Sequence, residues 1–225
     1  MITTTDQTFI SYQRRTFGED EMRKRASTFF QEIKTRRSIR EFSEQKIDPE
    51  ILDAIIQSAG SAPSGANKQP WTFCVVTNQS LKRKIREAAE REEYENYHGR
   101  MSDEWLKDLE PLGTNERKEF LEKAPALIVI FKRIYEFHSG GGKHQNYYMS
   151  ESVGIATGLL IAAIHNAGLC CLTHTPSPMN FLEKILERPL NERAFLLIPV
   201  GLPAENVTVP NIQRKNLDEI RINYI

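Results

Sequence analysis

Three arginines and a serine stand within five residues, Arg36-Arg37-Ser38-Ile39-Arg40. Guanidinium groups offer planar forks of N–H donors, so this cluster suits a phosphate monoester. The plainer alternative is a solvated basic turn after a helix. The loop Ala62-Pro63-Ser64-Gly65-Ala66-Asn67 has small side chains that let backbone amides approach a flat ligand, although most loops of this composition are only loops. Glu93 and Tyr97 are four apart on a predicted helix and share one face; Lys118 follows an irregular stretch. A carboxylate, a phenol and an ammonium could hold both ends of an amino-acid zwitterion. On composition the plainer reading is a solvated helical face, because the region is dense with charge. Thr173-His174-Thr175-Pro176 ends a predicted strand, where hydroxyls can face a ligand at a sheet edge. His174 could be a general base or a metal ligand, but a lone histidine between threonines is usually neither, and its role is unassigned.

Other chemistries lack their motifs. There is no H-E-x-x-H, Walker loop, G-x-G-x-x-G or G-x-S-x-G, and no metal site is expected. Cys74, Cys170 and Cys171 are odd in number and contain no C-x-x-C pair. The sequence therefore predicts buried thiols in a reducing cytoplasm rather than a disulfide framework or a zinc site. Lys plus Arg and Asp plus Glu are both 30, so the formal charge is zero. That gives no electrostatic reason to expect nucleic acid or an anionic membrane as partner. The N-terminal stretch lacks the apolar segment of a signal peptide. The most apolar run, from Val153 to Ala167, falls short of the roughly 20 residues that span a bilayer and contains His165 and Asn166, so no membrane anchor is expected.

The elements that must position these groups alternate. A helix is predicted over 18–35, with Glu19, Asp20 and Glu21 in its first turn. Asp48-Pro49 supplies an N-cap and a proline at the first helical position for a second helix, whose apolar stripe is Ile51, Leu52, Ile55, Ile56 and Ala59. Strands are predicted from Trp71 to Thr77, Ala126 to Phe131, Leu169 to Thr173 and Ala194 to Val200. A charged helix is expected over 80–98, a polar excursion over 99–117, a long apolar helix over 145–167 and a short one over 179–187. The tail from Asn206 to Ile225 has little helical pattern. Such alternation argues for a sheet layered with helices. The long helix is apolar on nearly every face and needs burial on every face. Either a central position in a monomer or a dimer partner could supply that; Gly154 and Gly158 would permit close helix packing.

Taken together, these motifs resemble the nitroreductase superfamily: Arg36 to Arg40, the run from Ala62 to Phe73, the long apolar helix, and Pro199-Val200-Gly201-Leu202-Pro203. The resemblance extends from about Asp20 to Ile222. It implies an α+β, nitroreductase-like FMN-binding fold, with a central mixed sheet flanked by helices, in an intertwined homodimer with two active sites at the interface. The organisation it implies is an N-terminal extension over 1–17, an FMN domain over 18–205 with an active-site lid at about 91–120, and a C-terminal arm over 206–225 packing on the partner subunit.

A narrower resemblance is to the iodotyrosine deiodinases. It rests on Glu92-Glu93-Tyr94-Glu95-Asn96-Tyr97, Asp103 to Leu109, Thr114-Asn115 and Lys118-Glu119, which look like that family's lid. It implies that Arg36, Arg37, Ser38, Arg40 and Arg214 hold FMN, mainly its phosphate. Pro63, Ser64 and Gly65 would line the isoalloxazine, with Thr173 and Thr175 completing the flavin site and the Thr175 hydroxyl at flavin N5 as the catalytic contact. Ala66 would lie beside the substrate's phenol, and Glu93, Tyr97 and Lys118 would clamp its zwitterion. Mammalian members carry a membrane anchor; this chain begins almost at the catalytic domain and resembles a soluble, bacterial-type form. The implied reaction removes iodide, bromide or chloride from a halotyrosine to give tyrosine. It proceeds in one-electron steps from flavin reduced by a donor that the sequence does not identify. The other readings are a generic FMN-dependent nitro or quinone reductase, a non-catalytic flavin- or amino-acid-binding protein, and a flavin-fragmenting enzyme.

Overall fold

The computed structural model describes residues 10–137 and 140–225; residues 1–9 of the expected N-terminal extension lie outside the described residues. The chain forms two compact units, the first ending at Thr35 and the second running Arg36–Ile225. The first carries helix α1 (Glu19–Ile33). Glu19, Asp20 and Glu21 oppose its N-terminal dipole, and Arg23 and Arg25 pair back to Glu19 and Glu21 one turn earlier. No residue of α1 is buried, Phe29 and Phe30 included.

In the second unit, β1 (Trp71–Val76), β2 (Ala126–Arg133), β5 (Cys170–Cys171) and β6 (Glu192–Gly201) form one sheet in the order β1-β2-β6-β5. Every neighbouring pair in it is antiparallel. The parallel element lies at the edge, where Ser38 bridges Cys171. Side chains alternate along each strand. Ile128 and Ile130 of β2 and Ile198 and Val200 of β6 face one core with helices α2 (Pro49–Gly60) and α6 (Met149–Asn166). Leu127, Val129 and Phe131 of β2 and Leu197 of β6 face the other, with α3 (Gln79–Glu95), α5 (Phe120–Lys123) and α7 (Asn180–Ile185). Because β2 is covered on both faces, it reads as a continuous apolar run rather than an alternating one.

Local chemistry sets the helix starts. Asp48 accepts a hydrogen bond from the Glu50 amide at 2.9 Å, and Asn78 accepts one from Leu81 at 3.0 Å, each satisfying an amide donor that the first helical turn leaves open. The long helix begins later than its apolar pattern predicts. A hairpin of β3 (Tyr135–Phe137) and β4 (Lys143–Gln145) takes the residues before it, and Tyr148, at φ 52°, turns the chain into α6. Val153, Ala156, Leu160 and Ile164 are buried, whereas Ile155 and Leu159 on the other face remain 48% and 39% exposed beside exposed Gly154 and Gly158. One chain therefore does not bury this helix on every side. Strand β5 is shorter than predicted: Leu172 and Thr173 leave the ladder, and His174 rejoins it opposite Leu197. Two further helices, α4 (Asp103–Leu109) and α8 (Leu217–Ile220), lie in stretches expected to be irregular. Among the described residues, no helix is long and apolar enough to cross a membrane.

The Pro199-to-Pro203 motif has a packing reason. A Cβ on Gly201 would lie 2.6 Å from Cδ of Pro125 and 3.0 Å from Cδ1 of Phe42, and a proline ring cannot swing aside. Gly201→Ala is expected to cost about 1–3 kcal/mol of stability, read as a lower urea midpoint at unchanged slope.

Candidate active site

The Arg36-to-Arg40 segment lies along the open sheet edge. The Ile39 amide donates to the Cys171 carbonyl at 3.2 Å, and the Ser43 amide to Leu202 at 2.9 Å. A cavity of about 220 Å³ collects Arg36, Arg37, Ser38 and Arg40 with Leu112 from the predicted lid and Pro210, Ile212, Gln213 and Arg214 from the tail. Arg37 donates to the Pro210 carbonyl and Arg214 to the Arg36 carbonyl. These bonds draw the tail onto the cluster. The cavity lining holds four guanidinium groups and a hydroxyl but no carboxylate. That donor set fits a dianionic phosphate. Burial pulls Arg40 below its ordinary value.

The second group is built on α3. Its buried positions are Lys82, Ile85, Ala88, Ala89 and Glu93, and the stripe continues to buried Asn96 in the wide turn Asn96–Arg100. Glu93 therefore faces inward, at 6% exposure, as does Lys118 at 3%. Lys118 Nζ is 3.6 Å from Glu93 Oε2 and 5.5 Å from the centre of the Tyr97 ring. It also donates to the Thr114 hydroxyl at 3.3 Å and to the Asn115 carbonyl, while its backbone amide donates to Glu90 at 2.8 Å. Glu93, Tyr97 and Lys118 thus converge, and the solvated-face alternative is overturned for Glu93 and Lys118. Desolvation is the largest influence on both ions: it raises the Glu93 carboxyl and lowers the Lys118 ammonium, each against the attraction of the other. Desolvation also raises the Tyr97 phenol, against its hydrogen bond to Thr114. Burial lowers Lys118 and His174 most, and the Arg40 charge lowers both further, so the arginine cluster is coupled electrostatically to this group.

Thr173 and Thr175 are exposed and His174 between them is buried, so the two hydroxyls share one face and the imidazole takes the other. The turn at Asn96–Arg100 is tied to the loop beyond Thr175: Asn96 and Arg100 donate to the Ser177 carbonyl at 3.1 and 3.2 Å. Pro63 and Ala66 are exposed, Ser64 and Gly65 half-buried. Ala66, Asn67 and Gln69 all have φ near +50°, a conformation that costs non-glycine residues of order 1–3 kcal/mol and gathers at functional sites. The Ser64 hydroxyl accepts from the Gln69 amide at 2.8 Å, and the Gly65 amide donates weakly to Ser152 at 3.4 Å, which helps hold the loop. This loop does not line the arginine cavity. Cys171 is buried and Cys74 and Cys170 half-buried; burial pushes the Cys170 and Cys171 thiols up to about 12 and about 11.

Residues 33–202 match the nitroreductase family model. The chain is 54% identical over 216 residues to the iodotyrosine deiodinase of Haliscomenobacter hydrossis, spanning 96% of this chain and 97% of that one. The chain belongs to the iodotyrosine deiodinase branch of the nitroreductase family. Within that branch it is also 44% identical over 216 residues to iodotyrosine deiodinase 1 of Homo sapiens, covering 95% of this chain and 74% of the human one. The crystal structure of an oxidised iodotyrosine deiodinase bound to FMN and 3-iodo-L-tyrosine superposes with a TM-score of 0.73 at 30% identity, covering 88% of this chain and all of that one. For a deiodinase-branch site, sequence reasoning misses Leu112, Pro210, Ile212 and Gln213 as lining of the arginine cavity, and the approach of His174 to Glu93. The first carries no sequence signal. For the second, the stripe of Ile85, Ala89, Glu93 and Asn96 signals only that Glu93 faces inward, not what it meets.

Proposed function

We infer that the chain is an FMN-dependent iodotyrosine deiodinase that reductively removes halide from halotyrosines. The observation that supports this reading is the buried Glu93–Lys118 pair, two opposite charges of the kind that an amino acid's ammonium and carboxylate would pair with. Arg36, Arg37, Ser38, Arg40 and Arg214 would hold the FMN phosphate; Pro63, Ser64 and Gly65 would flank the ring system, and Thr173 and Thr175 would offer it their hydroxyls. Bound FMN, once reduced, supplies the two electrons that, with one proton, convert a carbon–iodine bond into carbon–hydrogen and iodide. The chain's own residues bind and orient. Glu93 accepts hydrogen bonds from the substrate ammonium, Lys118 donates to its carboxylate, and Ala66 lies beside the phenol. Tyr97 stands next to Lys118 and closes the wall. The lid from about 91 to 120 excludes water, which strengthens both ion pairs.

The site is completed by a second copy of the chain. The loop from Pro63 to Ala66 lies off the arginine cavity, and α1, the Ile155/Leu159 face of α6 and the tail beyond Pro210 are exposed in one chain. A homodimer in which the C-terminal arm (206–225) packs on the partner covers these surfaces and brings the loop to the flavin. The three unpaired cysteines suit a reducing cytoplasm.

The deciding experiment is anaerobic: reduce the yellow protein, add 3-iodotyrosine, and follow flavin reoxidation with release of iodide and tyrosine. Stoichiometric reoxidation is expected; binding without reoxidation would leave a ligand-binding flavoprotein and sink the reading. Thr175→Ala is expected to shift activity from iodotyrosine towards nitroarenes, read as the ratio of the two kcat/KM values; an unchanged ratio removes Thr175 from the catalytic role.

A further inference from the structure

His174 has a buried side chain that neither the fold nor the clamp accounts for. Its backbone is fixed on both sides by Leu197, whose carbonyl accepts from the His174 amide at 2.9 Å and whose amide donates back at 3.0 Å. Its ring stands edge-on to Phe120, with centres 5.7 Å apart. It is only 7% exposed, and its Nε2 is fully buried with no hydrogen-bond partner. The polar atom facing that nitrogen is Glu93 Oε1, 3.9 Å away. The two oxygens of Glu93 are thereby divided, Oε2 towards Lys118 and Oε1 towards His174.

We propose that His174 is a positioning residue for the amino-acid end of the substrate, holding Glu93 in the rotamer that meets the ammonium group. This rests on the deiodinase reading and deepens it. When the substrate carboxylate engages Lys118, Glu93 turns from its cation towards the incoming ammonium. A movement of about one ångström brings Oε1 within hydrogen-bond range of Nε2. The acceptor in front of Nε2 assigns it the proton, leaving the neutral ring with one donor aimed at the carboxylate. Neutrality matters, because a cation there would compete with the ammonium for the same carboxylate. Burial first, then the Lys118 and Arg40 charges, hold the imidazole down to about 3, so it remains neutral throughout the working range. Metal binding does not explain the residue: among the described residues no group of three or more His, Cys, Asp or Glu is placed to hold an ion.

The test uses the oxidised holoenzyme and two ligands followed by flavin absorbance or calorimetry, 3-iodotyrosine and its counterpart lacking the amino group, 3-iodo-4-hydroxyphenylpropanoate. His174→Leu removes the donor at similar bulk. It is expected to weaken 3-iodotyrosine by about tenfold or more, the worth of a hydrogen bond to a charged group, and to leave the amine-free ligand within about twofold. His174→Gln, which returns an N–H near the Nε2 position, is expected to recover most of the loss. FMN retention reports that each variant has folded. Equal weakening of both ligands, or undiminished 3-iodotyrosine binding in His174→Leu, overturns the proposal. Failure of the unsubstituted protein to bind 3-iodotyrosine would overturn the deiodinase reading itself.

Discussion

Lys118→Ala is expected to raise KM for 3-iodotyrosine by about 10²-fold, with kcat for amine- and carboxylate-free 2-iodophenol little changed. The substrate carboxylate would lose a charge-assisted hydrogen bond in a water-poor site, worth about 1.5–3 kcal/mol, and each 1.4 kcal/mol is about a factor of ten. The partner also suffers. Glu93 would keep its buried carboxylate beside neutral His174, 3.9 Å away, without the ammonium that now stands at 3.6 Å. Burial already raises Glu93 while Lys118 pulls it down; without Lys118 it takes up a proton more readily and holds the ammonium less well. Steady-state kinetics with both substrates checks this, and an unchanged KM for iodotyrosine would remove the clamp.

The same pair has a second consequence. Removing one partner of a buried pair costs about 3–5 kcal/mol, but replacing both with apolar or neutral groups of similar shape is often neutral or stabilising. Desolvation outweighs the mutual attraction for Glu93 and Lys118 alike. On that balance the pair is expected to contribute little to folding, and the proposed clamp role gives a reason for its place in the chain. Glu93→Gln with Lys118→Met should keep the melting temperature while losing the amino-acid preference.

Several elements are legible in the amino-acid sequence because the forces that make them are local. Asp48-Pro49, the apolar run of β2 and the stripe of α2 specify their elements in this way, since capping and side-chain period act over a few residues. The pairing of β3 (Tyr135–Phe137) with β4 (Lys143–Gln145) is not legible: Gly140, Gly141 and Gly142 sit beside polar and aromatic residues, and no hydrophobic period marks the strands. The convergence of Glu93 with Lys118 is hidden for another reason. The intervening residues are irregular, and α3 carries so many charges that its short stripe of Ile85, Ala88 and Ala89 is easily lost. Burial of an ion is a tertiary outcome that composition argues against. The exposed face of α6 shows the converse, since an apolar pattern states that a surface must be covered without saying by what.

Arg36→Ala combined with Arg40→Ala is expected to weaken FMN by about 10³-fold, each guanidinium supplying charge-assisted contacts worth about 10- to 100-fold. These two are the informative choices, because Arg37 and Arg214 also bind carbonyls that hold the tail in place. Titration of apoprotein by quenching of flavin fluorescence measures the loss, and the FMN affinity of the unsubstituted protein should fall at high salt as the phosphate contacts are screened. The single variants separate two roles. Arg36→Ala should affect FMN alone. Arg40 depresses both Lys118 and His174, so Arg40→Ala should also let the Lys118 ammonium rise towards its ordinary value and hold its proton more firmly. With FMN supplied at saturation, KM for iodotyrosine should then shift in Arg40→Ala and stay put in Arg36→Ala. If neither variant weakens FMN, the arginine cavity is not the phosphate site, however well its donors suit one.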